Sequence, residues 1–162
     1  MASEPNTAGS SPQPTAQTLA VQGFANTIVR GLLRTPGLSR IVGRRLVTVY
    51  VVGRKSGRHY AVPVAYTQKG DALLIGTPFP WGRNLRSGER VDIRLKGQRR
   101  PADVEVFTDE AGVAEQYTIM SIDNSQFARF NKIRIDPEGH VNAADLHAAW
   151  AGGARAFRLT PR

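Results

Sequence analysis

The residues best equipped for chemistry crowd into one short stretch, Gly53-Arg54-Lys55-Ser56-Gly57-Arg58. Three cations and a hydroxyl stand between and beside two glycines. Glycine accepts positive φ, so a tight path there can turn several backbone N–H groups toward one point. Guanidinium, ammonium and hydroxyl donors together suit phosphate or carboxylate oxygens. The Gly-x-x-x-x-Gly-Lys spacing of a Walker loop is absent, and the stretch does not open a helix. Composition alone would equally serve an exposed hairpin tip, where these residue types are common.

Two other stretches carry candidate chemistry. Val62-Pro63-Val64 sits in an apolar run, and a proline there has no N–H to give a ladder. It marks an edge, a bulge or a surface that something else approaches, such as a flat ring. Thr77-Pro78-Phe79-Pro80-Trp81-Gly82-Arg83-Asn84-Leu85 is aromatic and proline-rich. An indole at Trp81 can wall off a ring and the Asn84 amide can orient a heteroatom. Alternatively, Trp81 and Leu85 plug one end of the core, the commoner fate of tryptophan.

Several chemistries are excluded. The chain has no cysteine, so disulfides, thiolate chemistry and cysteine-rich zinc sites are out. His59, His140 and His147 fall on separate elements with no i, i+4 pair, which argues against a metal site. Neither a Gly-x-Ser-x-Gly elbow nor a Gly-x-Gly-x-x-Gly turn after a strand is present. An enzyme built from these residues would draw its chemistry from a bound cofactor.

The elements that must position them follow from patterning. Residues 1–17, rich in Ser, Thr, Pro, Gln and Ala, read as a disordered tail. An amphipathic helix is predicted over 18–34, stopped by Pro36, with a short helix or turn over 38–44. That first helix could pack on the domain, cover a cofactor or rest on a membrane surface. Residues 45–52 and 59–66 read as a hairpin around the basic turn. Further strands are predicted over 72–77, 91–95 and 99–107, with a short helical piece near 82–88. Helices follow over 109–122, 123–132 and 143–150, the last capped by Asn142 and ended by Gly152, then a strand over 154–159. The fold class is mainly β with flanking helices (α+β), five meandering antiparallel strands and a late one, which suggests a small closed or split barrel. Residues 18–162 form one domain.

Charge is uneven along the 162 residues. The net charge is +9, and residues 1–70 hold nine Lys/Arg against one acid, while 101–162 hold six against nine. The basic part attracts phosphates, polycarboxylates, nucleic acid or an anionic membrane. Nucleic acid is disfavoured because the basic strands offer no aromatic stacking platform and no DNA-reading motif. No apolar run is long enough to span a bilayer and no secretory leader stands out, so a cytoplasmic location is expected, with membrane association open.

These pieces, in this order, resemble the deazaflavin-dependent nitroreductase family of the flavin/deazaflavin oxidoreductase superfamily. The likeness runs from about residue 24 to 107. It rests on Val51-Val52-Gly53-Arg54-Lys55-Ser56-Gly57-Arg58, on Val62-Pro63-Val64 and on Trp81-Gly82-Arg83-Asn84-Leu85. It implies an FMN-binding-like split β-barrel holding coenzyme F-420, a deazaflavin with a phosphodiester and an oligoglutamate tail. By the resemblance, Arg54, Lys55, Ser56, Gly57 and Arg58 meet the phosphate and acidic tail. Ala61, Val62 and Pro63 line the ring, and Gly76, Thr77, Trp81, Asn84 and Leu85 complete the pocket. The activity implied is hydride transfer from the reduced deazaflavin to a small organic acceptor such as a quinone, enone or nitroaromatic. Family members are often dimers, which leaves a homodimer open.

The departures are specific. The loop between Thr77 and Trp81 is shorter than in typical members. Where members place tyrosines near the substrate, this chain has Phe127 and Phe130, which cannot donate a hydrogen bond. The catalytic residue is therefore left open, with Tyr117 the nearest phenol. A non-catalytic carrier of the deazaflavin, of FMN or FAD, or of haem is the alternative.

Overall fold

The computed structural model describes residues 45–162. The tail expected over 1–17 and the helices expected over 18–34 and 38–44 lie outside the described residues.

Strand β1 (Leu46–Val52) is β-branched and aromatic, and its alternation buries Val47, Val49 and Val51. It pairs antiparallel with β2 (His59–Ala65), from Leu46 opposite Ala65 to Val52 opposite His59. Strands β3 (Thr67–Lys69) and β4 (Ala72–Thr77) form a tight hairpin whose turn uses Gly70 at φ 61°. Strands β5 (Arg90–Leu95) and β6 (Gln98–Phe107) are joined by Lys96 and Gly97, both at positive φ. Two consecutive positive-φ residues match the right-handed twist of a two-residue hairpin. Strand β7 (Arg155–Pro161) pairs with both β6 and β4.

The strand order is β2-β1-β5-β6-β7-β4-β3. The expected meander is therefore corrected: β1 reaches forward to β5, and β7 enters between β6 and β4. One feature of the chain path explains why. Strands β2 and β3 stand at opposite ends of that order, yet only Tyr66 separates them in the chain. Two Cα–Cα steps of 3.8 Å bring their ends within about 8 Å. The sheet must therefore roll until its two edges meet, with β2 and β3 acting as one bent strand. Buried Tyr66 marks the bend, its N–H donating to the Arg45 carbonyl at 3.0 Å. This is the expected antiparallel split barrel.

Two cores result. Alternate residues such as Val49, Ile93, Leu73, Ile75, Phe157 and Leu159 fill one side of the rolled sheet. On the other side, Leu74 and Ala156 pack with helices α1 (Glu110–Asp123), α2 (Ser125–Phe130) and α3 (Ala143–Ala151) through Val113, Tyr117, Met120, Ala128 and Leu146. Strand β4 meets apolar groups on both faces, which is why its sequence reads as a continuous apolar run. Each helix starts on a side-chain cap: Asp109 accepts from the Gly112 N–H, Asn124 from those of Gln126 and Phe127, and Asn142 from that of Asp145. The helical piece expected near 82–88 is instead a 3-10 turn at Pro80–Asn84, entered through Pro80.

Candidate anion-binding bend

Residues 53–58 connect β1 to β2 and close on themselves. The Gly53 N–H donates to the Arg58 carbonyl at 2.8 Å, and the Gly57 N–H to the Gly53 carbonyl at 2.7 Å. Gly57 sits at φ 65°, where a side chain is strained. Gly53 is required for space instead: a Cβ there would stand 2.7 Å from Ser56 Oγ and 3.1 Å from Tyr60 Cε2. Ser56 Oγ accepts from the Arg58 N–H at 3.3 Å and lies 3.5 Å from the Tyr60 hydroxyl. Ser56 is thus held between the Arg58 amide and the Tyr60 hydroxyl.

A side chain from elsewhere completes the bend. The Arg54 N–H donates to Asn84 Oδ1 at 3.3 Å, and Asn84 Nδ2 donates to the Trp81 carbonyl at 3.0 Å. Four of the amide N–H groups from Gly53 to Arg58 are therefore taken internally, leaving those of Lys55 and Ser56. The expected convergence of many amides on one point is reduced to two. Charged side chains carry most of the attraction this bend can exert.

Cations crowd around the bend. Residues 53–60 and 78–88 contain Arg54, Lys55, Arg58, Arg83 and Arg86 and no Asp or Glu. Among the described residues, Arg54, Lys55, Arg83 and Arg86 form no ion pair. Elsewhere, six arginines are matched with acids, Arg90 and Arg162 with Asp103, Arg99 with Asp92, Arg158 with Glu105, Arg45 with Asp123 and Arg134 with Asp145, whereas Arg94, Arg100, Arg129 and Arg155 form no ion pair among the described residues. Arg83 and Arg86 were not singled out from the sequence. Their signal was there, since they flank Asn84 in a stretch free of acids.

The predicted lining residues divide into two groups. Ala61 and Pro63 share the outer face of the edge strand β2, opposite Tyr50 and Thr48, and so stand on the same strand as the bend. Val62, between them, points inward and is buried. Trp81 and Leu85 are buried too, and the indole stacks on Phe157 with ring centres 6.3 Å apart and planes at 20°. The Trp81 ring thus closes the barrel end rather than facing the bend. Thr77 is buried, its Oγ1 accepting from the Phe79 N–H. Gly76 lies under two rings, since a Cβ there would meet Tyr117 Cε2 at 2.9 Å and Phe127 Cζ at 3.0 Å.

Tyr117, the candidate phenol, requires correction. It is fully buried, edge-on to Phe127 at 5.0 Å, and its hydroxyl donates to the Arg155 carbonyl at 3.4 Å. Burial pushes that hydroxyl well above the ordinary phenol range, with the nearby Arg155 charge opposing only in part. A phenol so placed is a core group, out of reach of a ligand at the bend. The other two expected histidine positions are also accounted for by carboxylates, His140 beside Asp136 and His147 beside Glu110.

No protein-family model matches the sequence, and no curated protein matches it. Among solved structures, the chain is similar to one described as a "putative 5-nitroimidazole antibiotic resistance protein" from Bacteroides thetaiotaomicron. The identity is 13%, the match covers 78% of this chain and 81% of that one, and the TM-score is 0.44. A likeness at that level carries nothing about chemistry. No helix among the described residues is long and apolar enough to cross a membrane.

Proposed function

We propose that this chain is a deazaflavin-dependent oxidoreductase whose bend at 53–58 holds the phosphate and oligoglutamate arm of coenzyme F-420. One observation carries the reading. Arg54, Lys55, Arg83 and Arg86 are exposed on two adjoining segments that contain no Asp or Glu, and none of the four forms an ion pair among the described residues. A polyanionic arm is the ligand such a field favours.

The residues fit the group in two respects. Arg54 and Lys55 are exposed and unpaired among the described residues, and the bend that bears them is fixed from both sides by internal hydrogen bonds. Ala61 and Pro63 then offer a low, small-side-chain surface on the same strand, with no bulky group between them on that face. When bound, the coenzyme would supply a hydride for a quinone, enone, nitroaromatic or related acceptor. This chain's share is to hold the anionic arm, orient the ring along β2 and present no competing nucleophile. FMN or FAD would draw on the same cations through their phosphates.

A second reading, a carrier that binds the coenzyme without turnover, is favoured by the burial of Tyr117, which removes the phenol from the acceptor side. The two separate in one pair of assays. Quenching of F-420 fluorescence on titration with the protein is expected, weakened by Lys55→Ala. No quenching at micromolar protein would end the coenzyme reading. Binding without oxidation of reduced F-420 by menadione, cyclohexenone or a nitroimidazole would leave the carrier.

A further inference from the structure

We infer that Asn84 is a positioning residue for the bend, acting through the Arg54 backbone rather than by touching the ligand. The inference rests on the anion-binding reading above and extends it to a residue outside the bend.

The geometry is a chain of fixed contacts. Trp81 is anchored in the barrel by stacking on Phe157. Beside it, Gly82 has no room for a side chain, since a Cβ would meet Phe157 Cζ and Thr77 Cγ2 at 2.9 Å. The 3-10 turn therefore cannot shift relative to the core. At its end Asn84 Nδ2 donates to the Trp81 carbonyl at 3.0 Å, tying the side chain to the turn. The opposite end of the same amide, Oδ1, accepts the Arg54 N–H across 30 residues of sequence. A carboxamide has the donor and the acceptor that this bridge needs on one short stem. An aspartate could accept but not donate.

The consequence is preorganisation. Arg54 and Lys55 are long and flexible, and a loose bend would have to be ordered when an anion binds. With Arg54's backbone tied to the barrel end, that ordering is already done in the free protein. The same two bonds make the amide a strut, with one acceptor and one donor site committed to backbone.

The test uses inorganic tripolyphosphate as the probe, so that it does not depend on the coenzyme. In the full chain, Asn84→Ala should weaken tripolyphosphate binding by about tenfold, the worth of one hydrogen bond, and should speed hydrogen exchange at the Arg54 amide. Asn84→Leu fills similar space with neither donor nor acceptor and should leave that amide as unprotected as alanine does, whereas a mere packing role would have leucine restore protection. In the double variant with Lys55→Ala, the combined loss should be smaller than the product of the single losses, because both act on one bend. Unchanged tripolyphosphate affinity in Asn84→Ala, or losses that simply multiply, would overturn the inference. Tripolyphosphate binding without F-420 binding would end the coenzyme reading and leave the strut standing. Failure of the unmodified protein to bind tripolyphosphate would overturn both.

Discussion

Replacing Gly76 with alanine separates two explanations of that glycine, close approach to a ligand and close approach to protein. The added methyl would lie 2.9 Å from Tyr117 Cε2, 3.0 Å from Tyr117 Cζ and 3.0 Å from Phe127 Cζ. Carbon pairs prefer about 3.5–4.0 Å, so three contacts would each be short by at least half an ångström. Neither ring has an easy escape. Tyr117 is fully buried in α1, and Phe127 is locked edge-on against it. Overpacking of this kind costs about 1–3 kcal/mol. Alanine restricts the unfolded chain and returns about 0.4–1 kcal/mol. The net expectation is a loss of about 1–2 kcal/mol, a drop in Tm of roughly 3–8 °C for a domain of this size. Thermal unfolding followed by circular dichroism reads it. Combining Gly76→Ala with Phe127→Ala should cost less than the sum of the two, with a coupling of about 1 kcal/mol. An unchanged Tm together with weaker F-420 binding would refute the reasoning, because Gly76 would then face the ligand and not the rings.

Gly53→Ala should push the Ser56 hydroxyl off the Arg58 N–H, at a stability cost of about 1 kcal/mol, and a titration with F-420 should show weaker binding. Trp81→Ala empties the space against Phe157 and should cost about 3–5 kcal/mol, measured by urea unfolding. Asp145 is held down to about 2 from the ordinary 3.8, first by the Arg134 side-chain hydrogen bond and then by the Arg134 backbone N–H. Its folded pKa is depressed, so its contribution is complete above the unfolded value and fades as pH falls from about 4 toward 2. In Asp145→Asn, acid titration of stability should show a shallower slope across that window.

The strands were legible wherever alternation or β-branching was strong. Strands β1, β2, β4 and β5 emerge within a residue or two of expectation, and the Asn142 cap and Gly152 stop bracket α3 as read. Strand β3 was missed because, at three residues, it is too short for alternation to show. Strand order was illegible for a different reason. A meander is the natural reading of consecutive hairpins, and only the near-contact of β2 with β3 through Tyr66 forces the sheet to roll and admits β1–β5 and β4–β7 pairs. Facing was hidden as well. That Gly76 looks toward α1 and Trp81 toward Phe157 depends on which side of β4 the helices cover, and no local pattern encodes that. The bend itself was fully visible as a composition, but its anchor was not, since Asn84 lies 30 residues away from Arg54.

That some arginines have an acid partner while Arg54, Lys55, Arg83 and Arg86 have none among the described residues has a structural cause that bears on function. On the sheet, register delivers an acid to some arginines, Arg90 opposite Asp103 and Arg158 opposite Glu105, although Arg94 stands opposite Arg99. A bend that leaves the sheet has no opposing strand to supply acids by register, residues 53–60 contain none, and Arg54 and Lys55 form no ion pair among the described residues. Stability gives little reason to do otherwise, because an exposed ion pair is worth only about 0–1 kcal/mol. Nor does stability favour gathering Arg54, Lys55, Arg58, Arg83 and Arg86 on two short adjoining segments, where like charges repel. The arrangement lowers free energy once an anion of several charges lies among them, and a ligand with a single charge would leave most of the repulsion in place. Four cations, Arg54, Lys55, Arg83 and Arg86, with no ion pair among the described residues argue for a polyanion over a lone carboxylate or phosphate. The slope of affinity against ionic strength should be steep for tripolyphosphate and shallow for acetate.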